Sequence, residues 1–126
     1  MTPAEKRDLF RALHIPGDPL VMPNPWDIGS AKVLAGLGAK ALATTSSGHA
    51  FTIGKSDMGR VTADEAFAHA ADIVAVSDLP VNADFENGYG ADPETAAATV
   101  RRAAEIGLAG CSIEDTDMDS EGPGAY

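Results

Sequence analysis

The fold class is decided by residues 80–114, which read PVNADFENGYGADPETAAATVRRAAEIGLAGCSIE. This stretch begins and ends with short apolar segments, and an alanine-rich segment lies between them. Asp92-Pro93 is typical of a helix start, and Gly107 is typical of a helix end. The pattern therefore predicts a strand, a helix and a second strand. Two strands joined through a helix cannot form a hairpin, so we expect them to pair in parallel.

The same alternation continues toward the N-terminus. Residues 2–5 (TPAE) and 62–65 (TADE) are capping boxes, which begin helices, whereas residues 46–60 are rich in Ser and Gly and predict a loop. The predicted elements are a helix over 3–13, strands over 20–22, 39–45, 80–83 and 109–113, and helices that begin near Asp27, Thr62 and Asp92. This order predicts an α/β fold with four parallel strands and an extra N-terminal helix.

Two architectures fit alternating strands and helices. A doubly wound sheet would carry a glycine-rich phosphate turn after its first strand, but residues 23–26 read PNPW, and proline has no N–H to offer an anion. A (β/α)8 barrel needs about 250 residues, so this chain would supply only its N-terminal half.

Composition excludes several functional classes. The chain has 126 residues, which suits one domain over residues 1–126, and a net charge of −10, which disfavours binding to nucleic acid or to an anionic membrane. One cysteine excludes a disulfide framework. The N-terminus lacks the apolar segment of a secretory signal, and no apolar run is long enough to span a bilayer. We expect a cytoplasmic protein.

Acidic residues follow the predicted strands. Asp84 and Glu86 come directly after the third strand, Glu114 follows the fourth, and Asp57 lies in the loop after the second. The carboxyl ends of parallel strands meet at one edge, where chemistry is located in α/β proteins. Carboxylates gathered there repel one another unless they share a cation or a proton. Oxygen ligands without paired His or Cys favour Mg²⁺ or Mn²⁺.

Four segments together resemble the phosphoenolpyruvate mutase/isocitrate lyase superfamily. They are NPWDIGSAKVLAGLGAKALATTSSGHA (residues 24–50), the loop residue Asp57, LPVNADFENGYG (residues 79–90) and GLAGCSIED (residues 107–115). The resemblance runs from about Leu20 to Asp115 and covers the first half of that family's barrel. It implies a TIM barrel that binds Mg²⁺ and forms homo-oligomers.

The resemblance also implies a metal site. Asp84 matches the family's direct Mg²⁺ ligand, and Glu86 matches a second carboxylate around the metal that is usually Asp. Glu114 matches a glutamate that holds metal-bound water. Asp57 matches a carboxylate that serves the metal shell or catalysis, and we take it as the catalytic candidate.

Substrate contacts follow from the same resemblance. Ser47, Gly48 and His49 match a backbone turn that binds the carboxylate or enolate oxygen of the substrate. The implied activity is the making or breaking of a C–C or P–C bond in a small 2-oxo acid or phosphonate through an enolate. The lyases of the family carry a Lys-Lys-Cys-Gly-His type signature after the fourth strand. Residues 115–126 read DTDMDSEGPGAY instead, which favours the mutase-like branch.

Two other interpretations stay open at the level of the sequence. The chain could be a non-catalytic barrel fragment or pseudoenzyme that self-associates, because half a barrel leaves parallel strand edges bare. It could also belong to a Mg²⁺-dependent pyruvate aldolase on a similar barrel. Among residues outside the predicted site, Cys111 is expected to be a buried apolar side chain, and His69 is expected to be structural.

Overall fold

The chain forms helices that alternate with short strands, as the sequence predicts. The computed structural model describes residues 1–117. Its elements are α1 (Pro3–Leu13), α2 (Ile28–Gly36), β1 (Leu42–Ala43), α3 (Ser46–Thr52), α4 (Ala63–Val76), β2 (Val81–Asp84), α5 (Pro93–Glu105) and β3 (Gly110–Ser112). The C-terminal stretch over residues 115–126 falls partly outside the described residues.

The strands form one parallel sheet in the order β1-β2-β3. Leu42 pairs with Val81, and Asn82 pairs with Gly110. α4 connects β1 to β2, and α5 connects β2 to β3, so each crossover contains a helix. The prediction of an α/β fold with parallel pairing is confirmed.

The predicted strand over 20–22 is wrong. The described residues contain three strands rather than four, and residues 19–25 have no regular secondary structure. This segment still runs beside β1, because the Pro23 carbonyl accepts from Ala43 N–H at 3.2 Å and the Asn24 side-chain amide donates to the Ala43 carbonyl at 2.8 Å. Prolines at 23 and 25 have no N–H to continue a ladder, which explains why pairing stops there.

The predicted loop over 46–60 is wrong in its first half, which forms α3. The Thr45 side chain accepts from Gly48 N–H at 3.3 Å and caps this helix. Ser and Gly indicated a loop, but a good cap and burial of Ala50 outweigh their low helix propensity.

The other helix starts follow the sequence. The capping boxes at Thr2 and Thr62 are both present, and Asp27 and Asp92 cap α2 and α5 through their side chains. These contacts involve residues three positions apart, which is why short sequence patterns locate them well.

The core lies between the sheet and the helices. Its largest fully buried apolar side chains are Phe85, Leu42, Ile73, Leu108 and Val81. Phe85 follows β2 and packs on Phe67 of α4, with ring centroids 4.4 Å apart. No helix within residues 1–117 is both long and apolar enough to cross a membrane.

α1 is tied to distant parts of the chain. The buried Lys6 donates from Nζ to the Ser77 carbonyl at 2.7 Å, just after α4 ends. Phe10 lies so close to Gly110 that a Cβ there would come within 2.8 Å of its ring. The first helix therefore packs where β3 begins.

Candidate functional site

Acidic residues from different segments meet at the carboxyl end of the sheet. Asp84 is the last residue of β2, and Glu86 follows two positions later. Glu114 follows β3, and its N–H donates to the Glu86 carbonyl at 2.6 Å. The parallel register thus brings the ends of β2 and β3 side by side, as the sequence predicted.

Backbone donors orient the carboxylate of Asp84. Its Oδ2 accepts from Ser46 N–H at 2.9 Å, and its Oδ1 accepts from Glu86 N–H at 3.2 Å. The Asp84 N–H in turn donates to the Thr44 hydroxyl at 3.0 Å. Asp84 therefore links the start of α3 to the turn after β2.

Glu86 is the most enclosed of these acids. It is only 4% exposed, and its Oε1 accepts from Gly59 N–H at 3.1 Å. Burial raises the pKa of the Glu86 carboxyl, the Gly59 hydrogen bond opposes that shift, and the charges of Asp57, Asp84 and Glu114 raise the pKa further. Three of the predicted acids therefore act on the fourth, and we call Asp57, Asp84, Glu86 and Glu114 the acid cluster.

The acid cluster suits a cation that keeps much of its water. Within residues 1–117, no three His, Cys, Asp or Glu side chains are arranged to hold a metal ion directly. Mg²⁺ usually takes one or two carboxylates and retains several waters, so it does not need three direct protein ligands. Burial is the main cause of the raised pKa of Glu86, and the neighbouring negative charges, which a bound cation would offset, add to it. The donor set therefore fits Mg²⁺ held largely through water.

A cavity of about 770 Å³ opens beside the acid cluster. Its lining includes Glu86, Asn87, Tyr89 and Glu114. The pKa of the Tyr89 phenol is raised, first by burial and then by the charges of Glu86 and Asp84. The volume lies in the range typical of small-molecule sites.

Ser47, Gly48 and His49, which the resemblance assigns to a substrate-binding backbone turn, lie in the first turn of α3. Ser46 is bound to Asp84, so this end of α3 adjoins the acid cluster. Gly48 has no room for a side chain, because a Cβ would come within 2.6 Å of Thr45 Cγ2. None of the three lines the cavity beside Glu86, so their predicted contact with substrate is untested.

The His49 ring packs against another imidazole. It stacks on His69 of α4 with ring centroids 3.9 Å apart and an interplanar angle of 14°. His49 is 9% exposed, and neither of its ring nitrogens has a hydrogen-bond partner among the described residues. His69 Nε2 donates a hydrogen bond to the Trp26 carbonyl at 3.0 Å. We call these two rings the histidine stack.

Burial is the largest factor that lowers the pKa values of both rings in the histidine stack, and the charge of His69 lowers that of His49 further. Both rings line a second cavity of about 570 Å³ that shares no lining residue with the cavity beside Glu86. The structure therefore gives the His49 ring a packing role, and its backbone alone belongs to the end of α3 near Asp84.

Sequence reasoning missed the backbone donors of the site. The amides of Ser46 and Gly59 contact Asp84 and Glu86, and no side-chain pattern marks them. The one available signal in the sequence was the glycine at position 59. Its φ of +73° is a conformation that glycine adopts readily. Cys111 is partly buried, and burial raises the pKa of its thiol, as suits an unreactive side chain.

Comparison with known proteins shows the family to which this chain belongs. The family model described as phosphoenolpyruvate phosphomutase matches residues 10–125. A crystal structure of a Burkholderia cenocepacia J2315 protein superposes with a TM-score of 0.87 at 49% identity, and covers 90% of this chain and 41% of the other. The chain belongs to the phosphoenolpyruvate mutase/isocitrate lyase superfamily.

Two curated relatives extend the comparison. An uncharacterized protein of Mycobacterium tuberculosis is 36% identical over 110 residues, which is 87% of this chain and 41% of that protein. The 2,3-dimethylmalate lyase of Eubacterium barkeri is 32% identical over 118 residues, which is 93% of this chain and 39% of the lyase. The chain thus spans about two fifths of the length of the curated relatives it matches.

Proposed function

We propose that this chain is the N-terminal half of a (β/α)8 barrel enzyme that requires Mg²⁺ or Mn²⁺. The observation that carries the proposal is the convergence of three acids, Asp57, Asp84 and Glu114, on the buried Glu86 at the carboxyl end of a parallel sheet. This is the end at which barrel enzymes place their chemistry. The chain also spans only about two fifths of its relatives, which suits half of a barrel.

The proposed reaction makes or breaks a C–C or P–C bond in a small 2-oxo acid or phosphonate by way of an enolate. Asp84, Glu86 and Glu114 would hold the ion, whose charge stabilises the enolate when it is bound. Backbone donors fix both oxygens of Asp84, so this carboxylate is oriented before any ligand arrives. Such preorganisation is what electrostatic catalysis requires.

Asp57 is the proposed catalytic residue. Its charge acts on Glu86, so it lies within electrostatic reach of the acid cluster. Ser47, Gly48 and His49 are the proposed substrate contacts at the start of α3, which Ser46 fastens to Asp84. The Gly48 and His49 amides already donate to Thr45, so the Ser47 amide is the proposed backbone donor to the substrate. The cavity beside Glu86 has room for a small acid of this class.

One relative favours C–C bond cleavage within this range. The Eubacterium barkeri protein is a 2,3-dimethylmalate lyase, and it is similar to this chain over 93% of the chain's length. A Mg²⁺-dependent pyruvate aldolase remains a second enzymatic alternative, which aldehyde-dependent consumption of pyruvate would identify. The non-catalytic alternative is a self-associating barrel fragment. We also propose that the protein forms homo-oligomers and is located in the cytoplasm.

Calorimetry with Mg²⁺ and oxalate tests the proposal, because oxalate mimics the enolate. We expect oxalate to bind only when Mg²⁺ is present, and Asp84→Ala to abolish this binding. Asp64→Ala is the matched control, because Asp64 is an exposed carboxylate paired with Arg102 on the surface. Oxalate binding that is independent of the metal would overturn the proposal, and absence of binding in the wild type would favour the non-catalytic alternative.

A further inference from the structure

Glu86 touches three different segments at the edge of the sheet. Its N–H donates to the Asp84 side chain, its carbonyl accepts from Glu114 N–H, and its side chain accepts from Gly59 N–H. The first two contacts use its backbone and would survive any substitution. The contact to Gly59 depends on the carboxylate alone, and it connects β2 to the loop between α3 and α4.

The loop reaches Glu86 through an unusual backbone conformation. Met58 and Gly59 have φ values of +67° and +73°, and Glu86 itself has a φ of +48°. Left-handed conformations at residues other than glycine cost free energy and persist only where the surroundings enforce them. The hydrogen bond between Glu86 and Gly59 is such a constraint, because it ends in a carboxylate that is 4% exposed.

The length of the Glu86 side chain matters for this contact. The Oε1–N distance to Gly59 is 3.1 Å, close to the usual value for a hydrogen bond. An aspartate would be shorter by one carbon–carbon bond of about 1.5 Å, which would leave its oxygen beyond hydrogen-bonding distance unless the backbone moved. A glutamine would keep both the length and an acceptor oxygen.

We propose that Glu86 is a positioning residue that fastens the loop over residues 55–60 to the sheet and thereby holds Asp57 in the acid cluster. Asp57 lies two positions before Gly59, so fixing the Gly59 amide restricts where Asp57 can lie. Only one carboxylate oxygen is used by Gly59, and the other is left for the water shell of a cation. The role of Asp57 in catalysis rests on the proposed function, whereas the fastening of the loop does not.

Hydrogen exchange at the Gly59 amide, measured without metal, tests the fastening directly. We expect Glu86→Asp and Glu86→Ala to speed this exchange by about tenfold, and Glu86→Gln to retain most of the protection. Amides within the sheet, such as Leu42 N–H bound to the Pro80 carbonyl, should keep their protection in every variant. This last readout separates a local effect from general destabilisation.

Glu114→Gln is the matched control, because it removes a charge from the acid cluster without touching Gly59 through its side chain. Equal loss of Gly59 protection in Glu114→Gln would overturn the proposal, since the charge of the cluster would then order the loop. Unchanged protection in Glu86→Asp would overturn it as well. If Gly59 behaves as expected but wild-type protein fails to bind Mg²⁺, the positioning role stands and the proposed function fails.

Kinetics provide a second readout if the proposed function holds. Because Asp57 would act on the reaction itself, Glu86→Asp should lower kcat by about tenfold while KM changes by less than about twofold. A rise in KM of about tenfold with an unchanged kcat would contradict the placement of Asp57 by Glu86.

Discussion

The acid cluster and the histidine stack each contain a buried polar side chain, Glu86 and His49, and they flank the same short helix. At one end of α3 the Ser46 amide donates to Asp84, and on its side the ring of His49 stacks on His69. Burial shifts both groups toward their neutral forms, because it raises the pKa of Glu86 and lowers the pKa values of both histidines. The two regions differ in the hydrogen-bond partners of their polar atoms.

Backbone N–H groups donate to the carboxylates of Asp84 and Glu86, whereas the nitrogens of His49 have no partner among the described residues. A carboxylate that accepts oriented N–H groups can carry charge inside a protein, while an unpartnered imidazole is stable only when neutral. The comparison shows that the fold orients Asp84 and Glu86 through hydrogen bonds, as the proposed chemistry requires, whereas it holds the His49 ring by packing on His69.

The largest difference should appear in turnover. If the proposed function holds, we expect Asp84→Ala to reduce Mg²⁺-dependent turnover by more than about 100-fold, since it removes both the proposed metal ligand and the partner of two amides. His69→Phe should alter turnover little, because a flat ring can still pack on His49. Steady-state assays on both variants check this, and a comparable loss in His69→Phe would erase the distinction between the two regions.

Gly48→Ala should destabilise the helix shared by both regions. Its new Cβ would lie 2.6 Å from Thr45 Cγ2, and Thr45 cannot rotate away without giving up the cap of α3. The expected loss in the free energy of unfolding is about 1–3 kcal/mol, as is usual for overpacking. Gly36→Ala is the control, because its Cβ would meet nothing within 4 Å. Equal stability of the two variants in urea unfolding would show that α3 adapts freely.

Acid should weaken the protein through the histidine stack. In the unfolded chain a histidine gains a proton as the pH falls through about 6.5, but in the fold the pKa values of His49 and His69 lie lower. The unfolded state therefore binds more protons below that pH, and stability falls by up to about 1.4 kcal/mol per pH unit for each ring. Glu86, with its raised pKa, acts in the opposite direction near its own titration range.

His49→Phe should reduce this dependence, because phenylalanine cannot bind the proton. The free energy of unfolding measured at pH 7.5 and pH 5.5 should differ less in His49→Phe than in the wild type, and less again when His69→Phe is added. An unchanged difference in the double variant would mean that the histidine stack does not govern the response to acid.

The smallest expected effect concerns the pair that joins the loop after α3 to α4. Lys55 Nζ lies 2.6 Å from the Glu65 carboxylate, and this contact, followed by the hydrogen bonds from Thr62, lowers the pKa of Glu65 to about 2. Its contribution to stability is present above the unfolded pKa near 4.5 and is lost as the pH falls toward 2. In Lys55→Met, NMR titration should find the pKa of Glu65 higher. A value still near 2 would assign the shift to the capping box alone.

Much of the fold could be predicted because its signals are local. Helix starts at Thr2, Thr62 and Asp92 are recorded in residues three positions apart, and the alternation of strand and helix fixes parallel pairing. The errors came where tertiary context decides. Residues 20–22 are apolar enough for a strand, yet the prolines that follow cannot extend the ladder, and α3 forms from residues with a loop-like composition.

The features of the site also divide into those that the sequence predicts and those that only the tertiary structure determines. Acids that follow parallel strands must gather at one edge, so the grouping of Asp84, Glu86 and Glu114 could be anticipated. The Ser46 and Gly59 amides could not, because every residue except proline carries an N–H, and only the folded backbone determines where it points. Stacking of His49 on His69 likewise depends on how α3 meets α4.

The position of α1 has a consequence for the newborn chain on the ribosome. α1 contacts Ser77, Gly107 and Gly110, all of which are synthesised long after it. Lys6 therefore lacks its Ser77 partner until α4 has been made, and Phe10 lacks Gly110 until α5 has been made. Slow synthesis over α5 should therefore prolong the interval in which the nascent protein is open to aggregation.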